Sequence, residues 1–118
     1  MDTIKFTHNW NKKLTCTFFT TLRLENKNKY KVDETYEIRL MHKGRYTPHG
    51  HAQITEIRTL KLHQLNNFIC GLDSGYSIEE TVNLIYTMYK NSVTDFEKQK
   101  FFLILLKRVE PQKQATLF

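Results

Sequence analysis

Thr21 and Arg23 are the first pair of residues along the chain whose types and spacing could support chemistry. They lie two positions apart in the apolar run Phe18–Leu24, so a strand here would project both from one face. On the opposite face, Thr20 is expected to point inward beside Phe18. A hydroxyl can donate or accept, and a guanidinium can grip a phosphate or a base edge with paired donors. The pair indicates either the wall of a ligand cleft or an ordinary solvent-facing strand.

A second candidate is the segment HNWNKK, residues 8–13, which contains the single tryptophan, Trp10. An aromatic ring can stack on a base while neighbouring cations hold its phosphate, and the neighbours here are Asn11, Lys12 and Lys13. The alternative is that the indole only fills one end of the core. The segment therefore predicts either a base-stacking platform or a structural plug.

The stretch Asp73-Ser74-Gly75-Tyr76 offers a carboxylate and hydroxyls directly before a predicted helix. As a site, these groups would face the cleft beside a helix N-terminus. The alternative is a turn that only starts the helix.

Neither a metal nor a cofactor is expected. His49 and His51 could share a strand face, and His42 lies on another strand, but no further ligand is spaced to complete a metal set. Histidines exposed in a loop are the favoured interpretation. Cys16 and Cys70 form no CxxC motif, and we expect two free, buried thiols.

The predicted elements that would position these residues are strands in the first half and helices in the second. Composition and alternation of apolar residues predict strands over residues 18–24, 36–41, 52–62 and 101–106, with a loop at Gly44 and over 47–50. Helical spacing predicts a helix over 62–69 with Gly71 just past its end. A second helix follows a capping box formed by Ser77 and Glu80. This order predicts an α+β domain with a curled, mostly antiparallel sheet and helices at one end.

Length and charge set the broad class. The 118 residues fit one domain, expected over 1–110, followed by a tail over 111–118. No signal peptide is recognised and the longest apolar run is too short for a membrane span, so a cytoplasmic protein is expected. The net charge is +6, and residues 1–60 hold 11 basic and 6 acidic groups, which gives 11 − 6 = +5. A polyanionic partner or a merely solvated surface would each explain this excess.

From about residue 6 to residue 108 the sequence resembles ASCH domains, which are small PUA-like domains. The likeness is carried by FTTLR at residues 19–23, VDE at 32–34, AQITEI at 52–57 and DSGYSIEETVNLIYTMY at 73–89. The resemblance implies a small β-barrel with two or three helices packed across one mouth and a ligand cleft between them. It also implies binding of RNA or of a modified nucleoside, with a ligand set drawn from nine residues: Trp10, Asn11, Lys12, Lys13, Thr21, Arg23, Asp73, Ser74 and Tyr76.

Some ASCH-type proteins cleave RNA, and one branch is an amidohydrolase that removes the acetyl group from N4-acetylcytidine. Carried over, its threonine falls on Thr21 and its carboxylate on Asp73, with Ser74 in the aligned position. The branch has its lysine three residues before the threonine, where this chain has Phe18. Lys12 or Lys13 could supply the amine from the preceding loop, so Thr21, Asp73 and Lys13 form the candidate catalytic set.

The last five residues, QATLF, resemble the peptide with which bacterial replication proteins dock on the sliding clamp. Leu117 and Phe118 would fill an apolar pocket and Gln114 would hydrogen-bond beside it. The alternative is a tail that packs these side chains back on its own domain. A plain interaction protein recruited through its tail is therefore a third functional class.

Overall fold

The computed structural model describes residues 1–109. These residues form five strands and two α-helices, together with two short 3₁₀ helices at Trp10–Thr15 and Leu62–Gln64. In chain order the larger elements are β1 (Thr3–Phe6), β2 (Phe18–Leu24), β3 (Thr35–His42), β4 (Arg45–Leu60), α1 (Asn67–Asp73), α2 (Ile78–Tyr89) and β5 (Phe101–Val109). The α+β class predicted from the order of elements is confirmed.

All five strands form one mixed sheet in the order β1-β3-β4-β5-β2. The β3–β4, β4–β5 and β2–β5 pairs are antiparallel, whereas β1 runs parallel to β3 with Phe6 opposite Leu40. The sheet curls into half of a barrel. Register shifts between Glu37 and Arg39 and between Ile54 and Glu56 explain the curl, because each bulge adds local twist.

The predicted loop over residues 47–50 is wrong, because these residues belong to β4. The actual turn is the two-residue loop Lys43-Gly44, whose φ values of 50° and 81° suit a tight hairpin. Pro48 is tolerated in the strand near the register shift opposite Arg39. Gly50 has a φ of 90° and lies so close to the Arg108 guanidinium that a Cβ there would collide with it.

Two hydrophobic clusters hold the sheet and helices. The larger lies on the concave face of the sheet and includes Phe6, Phe19 and Tyr36. The second packs helices against the Leu60 and Phe101 end of the sheet. Helices at one end of the sheet, as predicted, therefore close the side on which β2 presents its polar residues.

Helix boundaries were predicted unevenly. The capping box at Ser77 is confirmed, with Glu80 N donating to Ser77 Oγ over 3.1 Å, and α2 follows it. The expected helix over 62–69 is instead a 3₁₀ turn followed by α1, which Asn66 caps through Ile69 N. Gly71 lies inside α1 and not beyond its end. Within residues 1–109, no helix has both the length and the apolar character needed to span a lipid bilayer.

β1 was missed because its four residues carry too short a pattern to identify alone. Of the two cysteines, both unpaired, Cys70 is buried as expected but Cys16 is exposed.

Candidate functional site

Thr21 and Arg23 lie side by side on β2, as their spacing predicted. Arg23 Nε donates a hydrogen bond of 2.9 Å to Thr21 Oγ1, and its guanidinium carbon lies 4.6 Å from the centroid of the Phe6 ring. Thr21 is buried, and its own O–H remains to donate. Within residues 1–109 the terminal nitrogens of Arg23 make no further hydrogen bond of good geometry, but the guanidinium lies near the Tyr30 hydroxyl, where its charge opposes the rise that burial causes in the pKa of Tyr30. The guanidinium is therefore fixed at its inner end by Thr21, and its outer end faces the cavity and Tyr30.

Lys13 and Asp73 form a buried ion pair opposite this strand. Lys13 Nζ donates to Asp73 Oδ1 over 2.9 Å and to the Asp73 carbonyl oxygen over 2.8 Å. The side chains of Lys13 and Asp73 are only 6% and 11% exposed. Thr20 Oγ1 also donates to Asp73 Oδ1, over 2.9 Å. One carboxylate oxygen thus receives two hydrogen bonds, whereas Oδ2 receives none from the described residues.

The segment before β2 carries Lys13 into this position. Asn11 and Lys12 adopt positive φ values of 57° and 52°, which break the 3₁₀ helix and turn the chain toward α1. The Asn11 side-chain amide then donates to the carbonyl oxygens of Gly71 and Leu72, at 3.1 and 3.4 Å. These contacts tie the lysine-bearing segment to the end of the helix that carries Asp73.

Burial dominates the electrostatics of Lys13. Removal from water lowers the pKa of its ammonium below the ordinary value, and the charge and hydrogen bond of Asp73 offset part of that shift. The positive charge of Arg23 adds to the lowering of the Lys13 pKa. Two cations and one carboxylate are therefore held close together in a region of low exposure.

These side chains line one small cavity between β2 and α2, with a volume of about 40 Å³. That volume holds about three water molecules, at roughly 10–15 Å³ each on the same measure. Six polar or aromatic residues of the lining were predicted as ligand-binding: Trp10, Lys13, Thr21, Arg23, Asp73 and Ser74. The structure thus brings together residues that are distant in the sequence, such as Lys13 and Asp73, which are 60 positions apart.

Three predicted ligand-binding residues do not line the cavity. Lys12 and Asn11 are exposed, and Asn11 uses its amide to hold α1. Tyr76 is 42% exposed beyond the turn. These three residues are close in sequence to Lys13 or Ser74, but the local backbone directs their side chains away from the cavity.

The prediction for the other face of β2 is wrong. Phe18 is 50% exposed at the start of the strand and does not point into the core. Thr20 is half-buried, and its hydroxyl binds Asp73 rather than filling the barrel wall. Phe18 lies at the start of β2, which is the last strand in the sheet order among residues 1–109, and Lys107 Nζ lies over its ring at 5.8 Å from the centroid.

Sequence reasoning missed the contribution of α2. Thr81 is 2% exposed and shares a 2.8 Å hydrogen bond with Ser74 Oγ, while Met88 and Tyr89 complete the outer wall of the cavity. A signal was present, because Thr81 lies four residues before the buried Ile85 and so shares its helix face. A polar residue on that face needs a partner, and here the partner is Ser74.

The remaining predicted features lie outside this cavity. His49 and His51 belong to β4 and not to a loop. Among residues 1–109, no group of three or more histidine, cysteine, aspartate or glutamate side chains is arranged to hold a metal ion. The candidate clamp-docking residues Gln114, Leu117 and Phe118 fall outside the described part of the chain.

Comparison with known proteins adds no relative to this picture. No protein-family model matches the chain, and no significant match was found among curated proteins or among solved structures.

Proposed function

We propose that the cavity binds the edge of a nucleobase, in RNA or in a modified nucleoside, as part of a PUA-like, ASCH-type domain of the cytoplasm. The observation that carries this proposal is that hydrogen-bond donors and a carboxylate acceptor line the same cavity. Arg23 offers N–H donors, and Asp73 offers Oδ2 as an acceptor. The Thr21 hydroxyl can still donate a hydrogen bond.

A mixed set of donors and acceptors favours a base edge over a phosphate alone. A phosphate presents acceptors only, so the free oxygen of Asp73 would repel it. The edge of a base presents donors and acceptors side by side and can satisfy Arg23 and Asp73 together. The charge of the site then steers the ligand while its hydrogen-bond pattern selects it.

The size of the cavity supports binding of an edge rather than of a whole nucleoside. Ligand pockets that enclose a small molecule measure roughly 300–1,000 Å³. A cavity of about 40 Å³ admits only the rim of a base or a small substituent on it. The sugar would remain at the mouth, near Trp10, Met88 and Tyr89.

The test is equilibrium binding of a panel of nucleosides and of short single-stranded RNA to the wild-type protein and to Arg23→Ala. We expect the substitution to weaken binding of every ligand that the wild type accepts, because it removes the free donors. The matched control is Arg58→Ala, since Arg58 is an exposed arginine on β4 paired with Glu56. Equal affinities of wild type and Arg23→Ala for all ligands would refute the assignment of the cleft.

A second candidate function is hydrolysis of an acylated nucleoside. It is favoured by one observation: the buried Lys13, whose pKa is lowered, lines the same cavity as the hydroxyl of Thr21. A lysine with a lowered pKa can accept a proton from a hydroxyl or a water, which an ordinary lysine cannot do at neutral pH. Lys13 would thus take the place of the lysine that Phe18 replaces in the amidohydrolase pattern.

Incubation with N4-acetylcytidine tests this second function by the release of cytidine. We expect turnover to be abolished in Thr21→Ala and in Lys13→Met, and to be retained in Thr15→Ala, which alters an exposed hydroxyl of the same 3₁₀ helix. Binding without turnover in the wild type would leave the first proposal standing and exclude this one.

A further inference from the structure

Among residues 1–109, the tip of the β3–β4 hairpin is a two-stranded ribbon with no strand on either side. Pairing of β1 with β3 ends at Phe6 and Leu40, and pairing of β5 with β4 begins at His51. Residues 41–46 lie beyond both, and they are joined by the tight Lys43-Gly44 turn. A Cβ on Gly44 would meet nothing within 4 Å, so the turn projects into open space.

The charge on this ribbon is of one sign. Residues 38–55 contain no aspartate or glutamate, and neither do residues 3–24. The pairing of β1 with β3 places these two acid-free stretches next to each other, with Lys5 opposite Arg39. The tip of the hairpin, residues 41–46, and the neighbouring strand β1 therefore carry no acidic residue.

The cations at the tip have no acidic partner in the part of the chain that the structure describes. Lys43 and Arg45 are exposed and have no ion-pair partner within residues 1–109. Arg39, lower on the same strand, differs because Glu37 binds its Nε at 2.7 Å. Lys5 Nζ lies 5.1 Å from the centroid of the Tyr46 ring at the base of the tip, on the face of the sheet opposite to Phe6 and Arg45.

The tip continues the face of the sheet on which the cavity opens. Phe6, which lies under Arg23, pairs with Leu40; two residues further, His42 pairs with Arg45 on that same face. Strand spacing of about 5 Å and about 3.4 Å per residue place Arg45 roughly 10–15 Å from Phe6. A nucleic acid strand of a few nucleotides covers that span, at about 3.4 Å per stacked nucleotide.

A half-buried arginine, Arg108, connects the ribbon to the segment that carries Lys13. The Arg108 guanidinium donates to the carbonyl oxygen of His49 at the base of the ribbon. It also donates to the carbonyl oxygen of Leu14, the residue after Lys13. The absence of a side chain at Gly50 makes room for the guanidinium. The tip and the cavity are thus held in a fixed relation and can engage one ligand together.

We propose that the β3–β4 tip is a phosphate-contacting arm, and that the natural ligand is a nucleotide within a polynucleotide strand rather than a free nucleoside. This inference rests on the proposed function of the cleft, which it extends by naming the ligand class. Lys43 and Arg45 bind backbone phosphates of nucleotides that flank the base in the cavity. Since phosphate contacts carry no sequence information, the arm supplies affinity and the cleft supplies selectivity.

The experiment measures binding of single-stranded RNA and DNA, and of the matching free nucleosides, to the wild type and to a Lys43→Ala/Arg45→Ala double variant. Salt is varied between about 50 and 200 mM. We expect the slope of log K against log salt to become shallower by about 1.4 in the double variant, at about 0.7 per phosphate contact on a single strand. Nucleoside affinity should not change. The control is Lys98→Ala/Lys100→Ala, which removes two exposed lysines near the opposite end of β4.

The outcomes separate the arm from the cleft. An unchanged salt slope in the tip variant, or an equal loss in the control, overturns the arm. Loss of nucleoside affinity in the tip variant also overturns it, because the tip lies outside the cavity. If Arg23→Ala leaves all binding intact while the tip variant flattens the slope, the arm stands and the function proposed for the cleft fails. Equal slopes for RNA and DNA identify the shared phosphodiester as the group recognised; a preference for RNA assigns part of the affinity to the 2′-hydroxyl.

Discussion

Lys13 and the tip cations Lys43 and Arg45 differ in nearly every physical respect, although all three belong to the same excess of positive charge. Lys13 is 5% exposed and held by Asp73, whereas Lys43 and Arg45 lie in open solvent at the end of a ribbon. A buried ammonium loses its hydration and must recover that loss from a partner. An exposed ammonium or guanidinium keeps its hydration and needs none.

The comparison shows positive charge in two different environments of this protein. At the tip, the cations keep their hydration and add little to folding. In the cleft, burial makes the charge costly, so the fold must supply Asp73, Thr20 and a rigid 3₁₀ segment to hold it. The cleft should therefore be sensitive to substitution and pH, while the tip should be insensitive in stability and sensitive only in binding.

Loss of the Asp73 carboxylate should have the largest effect on stability. Asp73→Ala leaves the buried Lys13 ammonium without its partner, and breaking such a pair typically costs about 3–5 kcal/mol. Urea denaturation measures the change in the free energy of unfolding. The control Glu56→Ala breaks a surface pair with Arg58 and should cost about 0–1 kcal/mol. If the free energy of unfolding falls by the same small amount in both variants, the Lys13–Asp73 pair is not the buried interaction described above.

Substitution of Gly50, which contacts Arg108 between the hairpin and the cleft, should have the next largest effect on stability. Gly50→Ala forces a residue with a Cβ to a φ of 90° and into the Arg108 guanidinium, which should cost about 1–3 kcal/mol. Gly44→Ala is the matched control, since Gly44 also has a positive φ but open space around it. Thermal unfolding should show a clearly larger loss at Gly50. Equal losses would mean that backbone strain alone matters and that contact with Arg108 contributes nothing.

The pH dependence of stability should distinguish the buried cation from the exposed ones. Burial lowers the pKa of Lys13 below 10.5, so between its folded and unfolded pKa values the unfolded chain binds more protons. The penalty for the buried charge is full below the folded pKa and is relieved as pH rises toward 10.5. Relative to a Lys13→Met/Asp73→Asn variant, wild-type stability should therefore rise as the pH increases toward the ordinary lysine pKa of 10.5.

This difference measurement removes an opposing contribution that both proteins share. Burial raises the pKa of Tyr30, Tyr36 and Tyr89, which destabilises the fold as pH passes the ordinary tyrosine pKa. A flat difference for the Lys13 variant would contradict the lowered pKa of the lysine.

The smallest expected effect on stability is at the tip. Lys43→Ala/Arg45→Ala removes two exposed cations that have no ion-pair partner within residues 1–109. The free energy of unfolding should therefore change by no more than about 0.5 kcal/mol. Urea denaturation under the conditions used for Asp73→Ala measures this free energy. A loss above about 1 kcal/mol would show that the ribbon contributes to the core and is not a free arm.

Local patterns in the sequence were sufficient for the elements with strong periodicity. β2 and the capped helix α2 were predicted because alternation, helical spacing and a capping box are properties of neighbouring residues. The pairing of Thr21 with Arg23 followed for the same reason. Four-residue β1 and the continuation of β4 through Thr47-Pro48-His49-Gly50 were not predicted, because both depend on a partner strand that stabilises a weak local signal.

By itself, the sequence determined the α+β class, the basic first half and the residue types from which a site could be built. Only the tertiary structure decided which of these residues meet. Positive φ values at Asn11 and Lys12 direct Lys13 inward and leave Lys12 in solvent, although the two lysines are adjacent. The bend in the backbone is stabilised by Asn11 bonds to α1, about 60 residues away. Whether a charged side chain is buried and paired depends on such long-range contacts, and a local sequence pattern does not record these contacts.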